Sequence, residues 1–86
     1  MEHQVRDEET SLLSTASREA KRVLVAFGIF RQLERKSKRR LVSEENFLSA
    51  LREVGFDFSV SKEILIMLRH AGKIYEPEPL QFRSIL

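Results

Sequence analysis

The sequence contains no cysteine, which excludes disulfide bonds, thiolate zinc sites and cysteine nucleophiles and gives no sign of an oxidising compartment. Its three glycines, Gly28, Gly55 and Gly72, are too scattered to form a phosphate-binding loop or a dinucleotide-binding turn. The longest run without a polar side chain, 23–30, has eight residues, whereas a membrane-spanning helix needs roughly 20. These absences predict a cytoplasmic protein that does not contact a membrane.

Residues suited to catalysis or metal binding are also scarce. The two histidines, His3 and His70, are far apart and lack the spacing to a second histidine or a carboxylate that would hold a metal ion. An enzyme needs a nucleophile, a base or a metal within reach of one another. We therefore expect no catalytic residue, no cofactor and no metal, and we expect that the chain is not an enzyme by itself.

The 86 residues are enough for one domain, and the balance of 33% charged and 42% hydrophobic residues is typical of a folded protein. The formal net charge of +2 is unevenly distributed. Residues 1–16 sum to −3, residues 17–40 to +7 and residues 41–86 to −2. The basic character therefore lies in one block of the chain.

The first 16 residues are polar, acidic and rich in serine and threonine, and we interpret them as a flexible arm or linker before a domain at 17–86. Helix 1 is predicted to begin at an N-cap, Ser17, and to end near Lys36. Apolar residues recur along one of its sides at helical spacing: Ala20, Val23, Ala26, Phe27, Phe30 and Leu33.

A shorter helix is predicted downstream of the basic block. The stretch 35–40 cannot continue helix 1 because its like charges would repel, and residues 41–42 can add a very short strand. Helix 2 is expected over 44–54, with Ser43 as its N-cap and Gly55 as its left-handed end. Its predicted buried side consists of Phe47, Leu48, Leu51 and Val54.

Helix 3 is predicted to start after a cap at Ser59 and to end at Gly72. We expect Phe27, Leu51 and Leu68 to be buried against one another in the core. The residues of helix 3 that we expect to face inward are Val60, Ile64, Met67, Leu68 and Ala71.

The C-terminal part is predicted to form a hairpin. Residues 73–76 and 80–85 are strand-like, and the two prolines of segment 77–79 favour a turn between them. The order helix, short strand, helix, helix, hairpin is that of a winged helix-turn-helix, a mostly helical α+β fold with three helices and a β-hairpin wing.

In a helix-turn-helix the second helix of the motif enters the major groove, which would be helix 3 here. Its outward face is predicted to present Lys62, Leu65, Ile66 and Arg69, with no asparagine or glutamine to read adenine. The wing segment 76–79 adds two carboxylates, which would repel DNA. We expect only weak and nonspecific duplex binding, and an ordinary solvated face fits the same residues equally well.

The basic block is either a patch that follows phosphates or a solvated run of charge. We expect any DNA binding to be electrostatic and to be carried by residues 31–40, so that the affinity falls steeply with salt. The candidate contacts to the DNA backbone are Arg31, Arg35, Lys36, Lys38, Arg39, Arg40, Lys62, Arg69 and Lys73.

Helix 1 has apolar residues on the side away from its predicted core face, namely Val25 and Ile29. Either Leu12 and Leu13 fold back over this pair, or a partner protein or second copy covers it. Together with Ile66 of helix 3, Val25 and Ile29 are our candidate contacts to a protein partner.

The segment 70–79, with the sequence His-Ala-Gly-Lys-Ile-Tyr-Glu-Pro-Glu-Pro, resembles the C-terminal winged-helix domain of archaeal MCM replicative helicases. In that family the third helix typically ends in glycine, followed by a charged residue, Ile-Tyr-Glu-Pro and a short wing. The resemblance extends over about 14–83. It includes Leu33-Glu34 near the end of helix 1 and the stretch 55–57 before helix 3. Leu80 stands where many relatives have a glycine in the wing.

The resemblance implies a non-catalytic regulatory module that is tethered to a helicase motor, acts in DNA replication on the chromosome, and needs no cofactor. Its partners would be the motor domain, replication initiator proteins and, weakly, duplex DNA. The ATPase and N-terminal DNA-binding domains would then lie in other parts of a longer protein. The alternative is a free-standing winged-helix transcription regulator that binds duplex DNA.

Overall fold

The structure is a computed structural model that describes the backbone of residues 2–85 and the side chains of residues 18–85. The helices are α1 (Glu2–Lys36), α2 (Glu44–Glu53) and α3 (Phe58–His70), and the strands are β1 (Val42–Ser43), β2 (Ile74–Glu78) and β3 (Gln81–Ser84). The strands form one antiparallel sheet in the order β1-β3-β2. This arrangement confirms the predicted fold class, a mostly helical α+β winged helix with a C-terminal hairpin.

Helix α1 begins at Glu2, so the predicted start near Ser17 is wrong. Residues 2–16 contain neither proline nor glycine and include several good helix formers, so their polar character did not prevent a helix. The predicted boundary between an arm at 1–16 and a domain at 17–86 stays a prediction. Among residues 2–85, no helix has both the length and the apolar character that a membrane crossing requires.

The helix ends largely follow the capping signals of the sequence. The hydroxyl of Ser43 accepts a hydrogen bond from the Asn46 N–H at 3.1 Å, as predicted for α2. The cap of α3 is Asp57 and not Ser59, because the Asp57 carboxylate accepts from the Val60 N–H at 2.8 Å.

Both predicted glycine stops are confirmed. Gly55 has φ 105° and Gly72 has φ 70°, in the left-handed region that residues with a Cβ avoid. Helix α2 ends at Glu53, and Val54, predicted to be buried, is its exposed C-cap residue.

The core lies between the three helices and the sheet. The Phe30 and Phe47 rings pack edge to face, with centroids 5.3 Å apart. Leu51 and Leu68 are fully buried as predicted, whereas Phe27 is only partly buried at the margin of the core. The buried hydrophobic residues are Ala26, Phe30, Val42, Phe47, Leu48, Leu51, Ile64, Leu65, Leu68, Ile74 and Phe82.

The predicted inward face of α3 needs correction. Met67 and Ala71 were expected inside and are exposed, and Leu65 was expected outside and is buried. The buried positions are Ser61, Ile64, Leu65 and Leu68, which lie at i, i+3, i+4 and i+7. On α1, Ala20 lies on the predicted apolar side and is exposed.

Replacing Ser61 by alanine should stabilise the domain. The Ser61 hydroxyl is buried in α3 and has no hydrogen-bond partner among the described side chains and backbone groups. A buried hydroxyl without a partner is unfavourable, so Ser61→Ala is expected to raise the free energy of unfolding by about 1 kcal/mol. Urea denaturation measures this change, with the exposed Ser49→Ala on α2 as control. A loss of stability would show that the hydroxyl is bonded in solution.

Candidate interaction surfaces

The cations predicted on the outward face of α3 lie beside carboxylates. Lys62 Nζ is 3.9 Å from Glu44 Oε1, and Arg69 Nη2 is 3.4 Å from Glu76 Oε1 of the wing. Because these side chains are partly exposed, the ion pairs themselves add little stability. Their carboxylates nevertheless oppose the approach of a polyanion to this face.

Aromatic rings hold the same two cations in place. Lys62 Nζ lies 5.4 Å from the centroid of the Phe58 ring, and the Arg69 guanidinium lies 5.4 Å from that of the Phe82 ring. A cation over an aromatic face is attracted by the ring quadrupole. Both side chains are therefore engaged within the domain before any ligand arrives.

Large apolar side chains of α3 are exposed to solvent near these ion pairs. Ile66, predicted to be exposed, is 52% exposed, and Phe58 at the start of α3 is 55% exposed. Phe58, Leu48 and Leu80 line a groove of about 440 Å³ between α2, α3 and the tip of the wing. We call it the wing groove, and its other lining residues are polar: Ser43, Glu44, Glu45, Lys62 and Gln81.

Leu80 adopts an unfavourable backbone conformation at the wing groove. Its φ of 59° lies in the left-handed region, where a residue with a Cβ is destabilised by roughly 1–2 kcal/mol. Two hydrogen bonds hold it there: its N–H donates to Glu76 Oε2 at 2.6 Å, and its carbonyl accepts from the Glu44 N–H at 3.0 Å. The conformation leaves the Leu80 side chain exposed beside Phe58.

A second concave surface lies at the other end of the sheet, where the C-terminal end of α1 meets β3. Four arginines line this pocket of about 380 Å³, which we call the arginine pocket. Three of them, Arg31, Arg39 and Arg40, belong to the basic block, and the fourth is Arg83 of β3. The structure thus brings together three of the predicted DNA-backbone contacts.

Arg83 is the most firmly placed of the four arginines. Its guanidinium donates to the Arg39 carbonyl at 2.9 Å and to the Arg40 carbonyl at 3.3 Å. These bonds join the turn after α1 to β3. Sequence patterning did not place Arg83 in this pocket, because its position beside Arg40 depends on the pairing of β1 with β3.

The other three arginines are held differently. Arg39 pairs with Glu78 at 2.6 Å, and Arg40 has a left-handed φ of 56°. Arg31 is partly buried, with its guanidinium 6.0 Å from the centroid of the Phe27 ring. Its Nε is buried and has no hydrogen-bond partner within the part of the chain whose side chains are described.

A buried carboxylate, Glu34, joins the arginines in the pocket. Its two oxygens accept hydrogen bonds from the N–H and the hydroxyl of Ser84, both at 2.7 Å. This pair of bonds fastens α1 to the last residue of β3. Sequence patterning did not reveal it, since a glutamate in a basic helical stretch is usually solvated.

The remaining predicted DNA-backbone contacts do not line the arginine pocket. Arg35 and Lys36 are exposed in the last turn of α1, Lys38 is exposed in the following turn, and Lys73 is exposed between α3 and β2. They remain candidate contacts by charge alone.

The apolar pair predicted on α1 is only partly as expected. Val25 is 52% exposed, but Ile29 packs against the core and is not a free partner contact. The side chains of Leu12 and Leu13 lie outside the described residues. Because α1 is continuous, Leu13 lies about 18 Å along the helix axis from Val25, so a fold-back would have to break the helix. Leu24, which the sequence analysis did not single out, is exposed beside Val25.

These features define a small winged-helix domain that carries an apolar concave surface, the wing groove, and a basic one, the arginine pocket. Among residues 18–85, whose side chains are described, no group of three histidine, aspartate or glutamate side chains could hold a metal ion. Comparison of the chain with protein-family models, with curated proteins and with solved structures found no match. The resemblance of segment 70–79 to archaeal MCM helicases therefore stays a prediction.

Proposed function

We propose that this winged-helix domain is a non-catalytic regulatory and interaction module of a replicative DNA helicase. In this role it contacts protein through α3 and the wing, and it contacts the DNA backbone only weakly and nonspecifically. The observation that carries the proposal concerns the outward face of α3 and the adjacent wing. A DNA-binding winged helix would present unpaired cations on this face. In this domain the cations of that face lie beside carboxylates, and its most exposed side chains include apolar ones.

The charges on this face favour a protein partner. DNA affinity grows with the number of phosphates that are neutralised by lysine or arginine. Here Lys62 and Arg69 of α3 lie beside Glu44 and Glu76, respectively, and the paired charges cancel. Docked DNA would have to approach these carboxylates.

The apolar side chains of the same face suit protein recognition. Protein interfaces have a desolvated centre rich in aromatic and aliphatic residues, surrounded by a polar rim. The wing groove contains both kinds of residue, since Phe58, Leu48 and Leu80 line it together with the charged Glu44, Glu45 and Lys62. A partner segment with an apolar anchor would desolvate the exposed Phe58 and Leu80 against the buried Leu48.

The test is a chimeric helicase. An archaeal MCM motor that lacks its own C-terminal winged helix is compared with the same motor joined to this domain, and ATP hydrolysis and DNA unwinding are measured. We expect the domain to change either rate without abolishing it. Unchanged rates in the chimera, together with no binding of initiator proteins, would contradict the regulatory role.

A substitution at Leu80 tests the contact surface without harming the fold. Glycine removes both the side chain and the left-handed strain, although it adds freedom to the unfolded chain. Leu80→Gly should therefore keep or raise the free energy of unfolding, by up to about 1 kcal/mol, while weakening the effect of the domain on the motor. Thermal denaturation and the ATPase assay measure the two effects.

The matched control for Leu80→Gly is Val54→Ala. Val54 is a similarly exposed aliphatic residue at the end of α2, and it does not line the wing groove. This control should leave regulation unchanged. Equal effects of the two variants on the motor would show that the wing groove is not the contact surface.

The alternative, a free-standing transcription regulator, is favoured by the winged-helix fold and by the exposed Leu24 and Val25 on α1, where a dimer could form. Affinity for DNA separates the two functions. A specific regulator binds its site at about 10⁻⁸ M or tighter, whereas nonspecific binding is typically about 10⁻⁴ to 10⁻⁶ M. Selection from random duplexes should yield no consensus sequence if the proposed function is right.

A further inference from the structure

We infer that the arginine pocket binds a phosphate group of a nucleic-acid backbone. This inference rests on the DNA contact in the proposed function and assigns that contact to one site. The pocket, formed by Arg31, Arg39, Arg40 and Arg83, is concave and measures about 380 Å³. Guanidinium groups offer several N–H donors in a plane, which suits the oxygens of a phosphate.

The pocket retains positive charge after its internal partners are counted. Glu34 lies in the pocket, but both of its oxygens accept hydrogen bonds from Ser84. Glu78 pairs with Arg39 at the rim. The four arginines therefore exceed the two carboxylates, unlike the α3 cations Lys62 and Arg69, each of which lies beside one carboxylate.

The pocket is organised before any ligand binds. Arg83 is held by two backbone carbonyls of the turn, and the bonds between Glu34 and Ser84 fix the end of β3 against α1. A binding site whose side chains are already ordered loses less entropy when the ligand arrives. Ordered donors would give even a weak, nonspecific contact to the DNA backbone a defined position on the domain.

Two unfavourable features coincide at this pocket. Arg40 adopts a left-handed backbone conformation that asparagine or glycine tolerates better than arginine. Arg31 buries its Nε without a hydrogen-bond partner among the described residues. Strained residues and unpartnered buried donors persist most often where function uses them. A phosphate bound by these guanidinium groups would lie close to both features.

An extended nucleic acid fits the surroundings better than a single phosphate does. Arg35 and Lys36 are exposed on the last turn of α1, directly after Glu34 of the pocket, and Lys38 is exposed in the turn that leads to Arg39 and Arg40. These additional cations can meet neighbouring phosphates of the same strand. The pocket would then be the fixed point of a longer basic track.

The experiment is a titration of the domain with a short DNA duplex, followed by fluorescence anisotropy at salt concentrations from about 50 mM to 200 mM. The key variant is Arg40→Asn, because asparagine tolerates the left-handed conformation and the fold should be retained. A double variant, Arg31→Gln with Arg40→Asn, removes a second cation. The control is Arg52→Gln on α2, an exposed arginine that does not line the pocket.

We expect Arg40→Asn to weaken duplex binding severalfold and the double variant to weaken it about tenfold, with no effect of Arg52→Gln. The slope of log affinity against log salt should fall by about one for each phosphate contact that is lost. Thermal denaturation of every variant separates lost binding from lost folding. The melting temperature of Arg40→Asn should match that of the wild type.

Three other results would overturn the inference, each in a distinguishable way. Duplex binding that the pocket variants do not change would place the DNA contact elsewhere and leave the proposed function standing. Absence of duplex binding at low salt would remove both the pocket and the DNA contact, but not the regulation measured in the chimera. Equal binding of polyglutamate, with the same dependence on Arg40, would assign the pocket to acidic polypeptides.

Discussion

Leu68→Ala is expected to lower the free energy of unfolding by about 2–5 kcal/mol, the usual range for a leucine truncated in a well-packed core. Leu68 is fully buried in α3, and it belongs to the core cluster that contains Phe30, Phe47 and Leu51. The lost methyl groups remove apolar burial, and the rigid neighbours leave a cavity. Small domains are stable by only about 5–15 kcal/mol, so this one substitution removes a large share of that stability.

Urea denaturation followed by circular dichroism measures the effect of Leu68→Ala. The matched control is Met67→Ala, because Met67 precedes Leu68 in the same helix and is 41% exposed. The control should cost much less, in line with the small effects of most surface substitutions, within about 0.5 kcal/mol. Similar losses for both variants would show that the buried face of α3 is assigned incorrectly.

Leu68 and Met67 were both predicted to face inward, and only Leu68 is buried. This difference shows which part of the fold could be predicted from the sequence. Caps, glycine stops and the hairpin turn are local signals, and Ser43, Gly55 and Gly72 all mark helix boundaries as expected. The buried face of α3 is not a local property, because residues 64–68 are all apolar and permit more than one inward side. Packing against α1 and α2 selects the side that contains Leu65 and the polar residue Ser61.

The predicted surfaces show the same division between local and long-range information. The basic block was evident from charge, and it supplies Arg31, Arg39 and Arg40 to the arginine pocket. Arg83 and Glu34 could not be assigned to that pocket, since their positions depend on the pairing of β3 with β1 and on contacts over about half the chain. The carboxylates beside Lys62 and Arg69 could not be predicted either, because Glu44 and Glu76 belong to other elements of the fold.

Left-handed residues are a further feature that sequence patterns did not predict. Arg40 and Leu80 are the two residues other than glycine with positive φ in the described part of the chain. Arg40 lines the arginine pocket, and Leu80 lines the wing groove. A tight turn normally places glycine or asparagine at such a position. Here the strained position in the basic pocket is an arginine, and the strained position in the apolar groove is a leucine. Each strained residue therefore has the chemical character of the surface that it lines.

Glu34→Ala is expected to destabilise the domain by about 3 kcal/mol, because hydrogen bonds to charged groups contribute about 1.5–3 kcal/mol each and part of that loss is recovered by relaxation. Glu34 is buried, and its carboxylate accepts both the N–H and the hydroxyl of Ser84 at 2.7 Å. Alanine would leave these two buried donors without a partner. The end of β3 would then be held by its pairing with β2, through Ile74 and Tyr75, and by the bonds from Arg83 to the turn after α1.

Glu34→Gln separates the hydrogen bonds from the charge. The glutamine oxygen can accept from the Ser84 N–H, and its amide can donate to the Ser84 hydroxyl, so the loss of stability should stay below about 1 kcal/mol. The arginine pocket would meanwhile lose a negative charge, and duplex affinity at low salt should rise severalfold. Denaturation and anisotropy measure the two effects on the same protein. If Glu34→Gln unfolds the domain as readily as Glu34→Ala does, then the negative charge beside the arginines, and not the bonding of Ser84, holds α1 against β3.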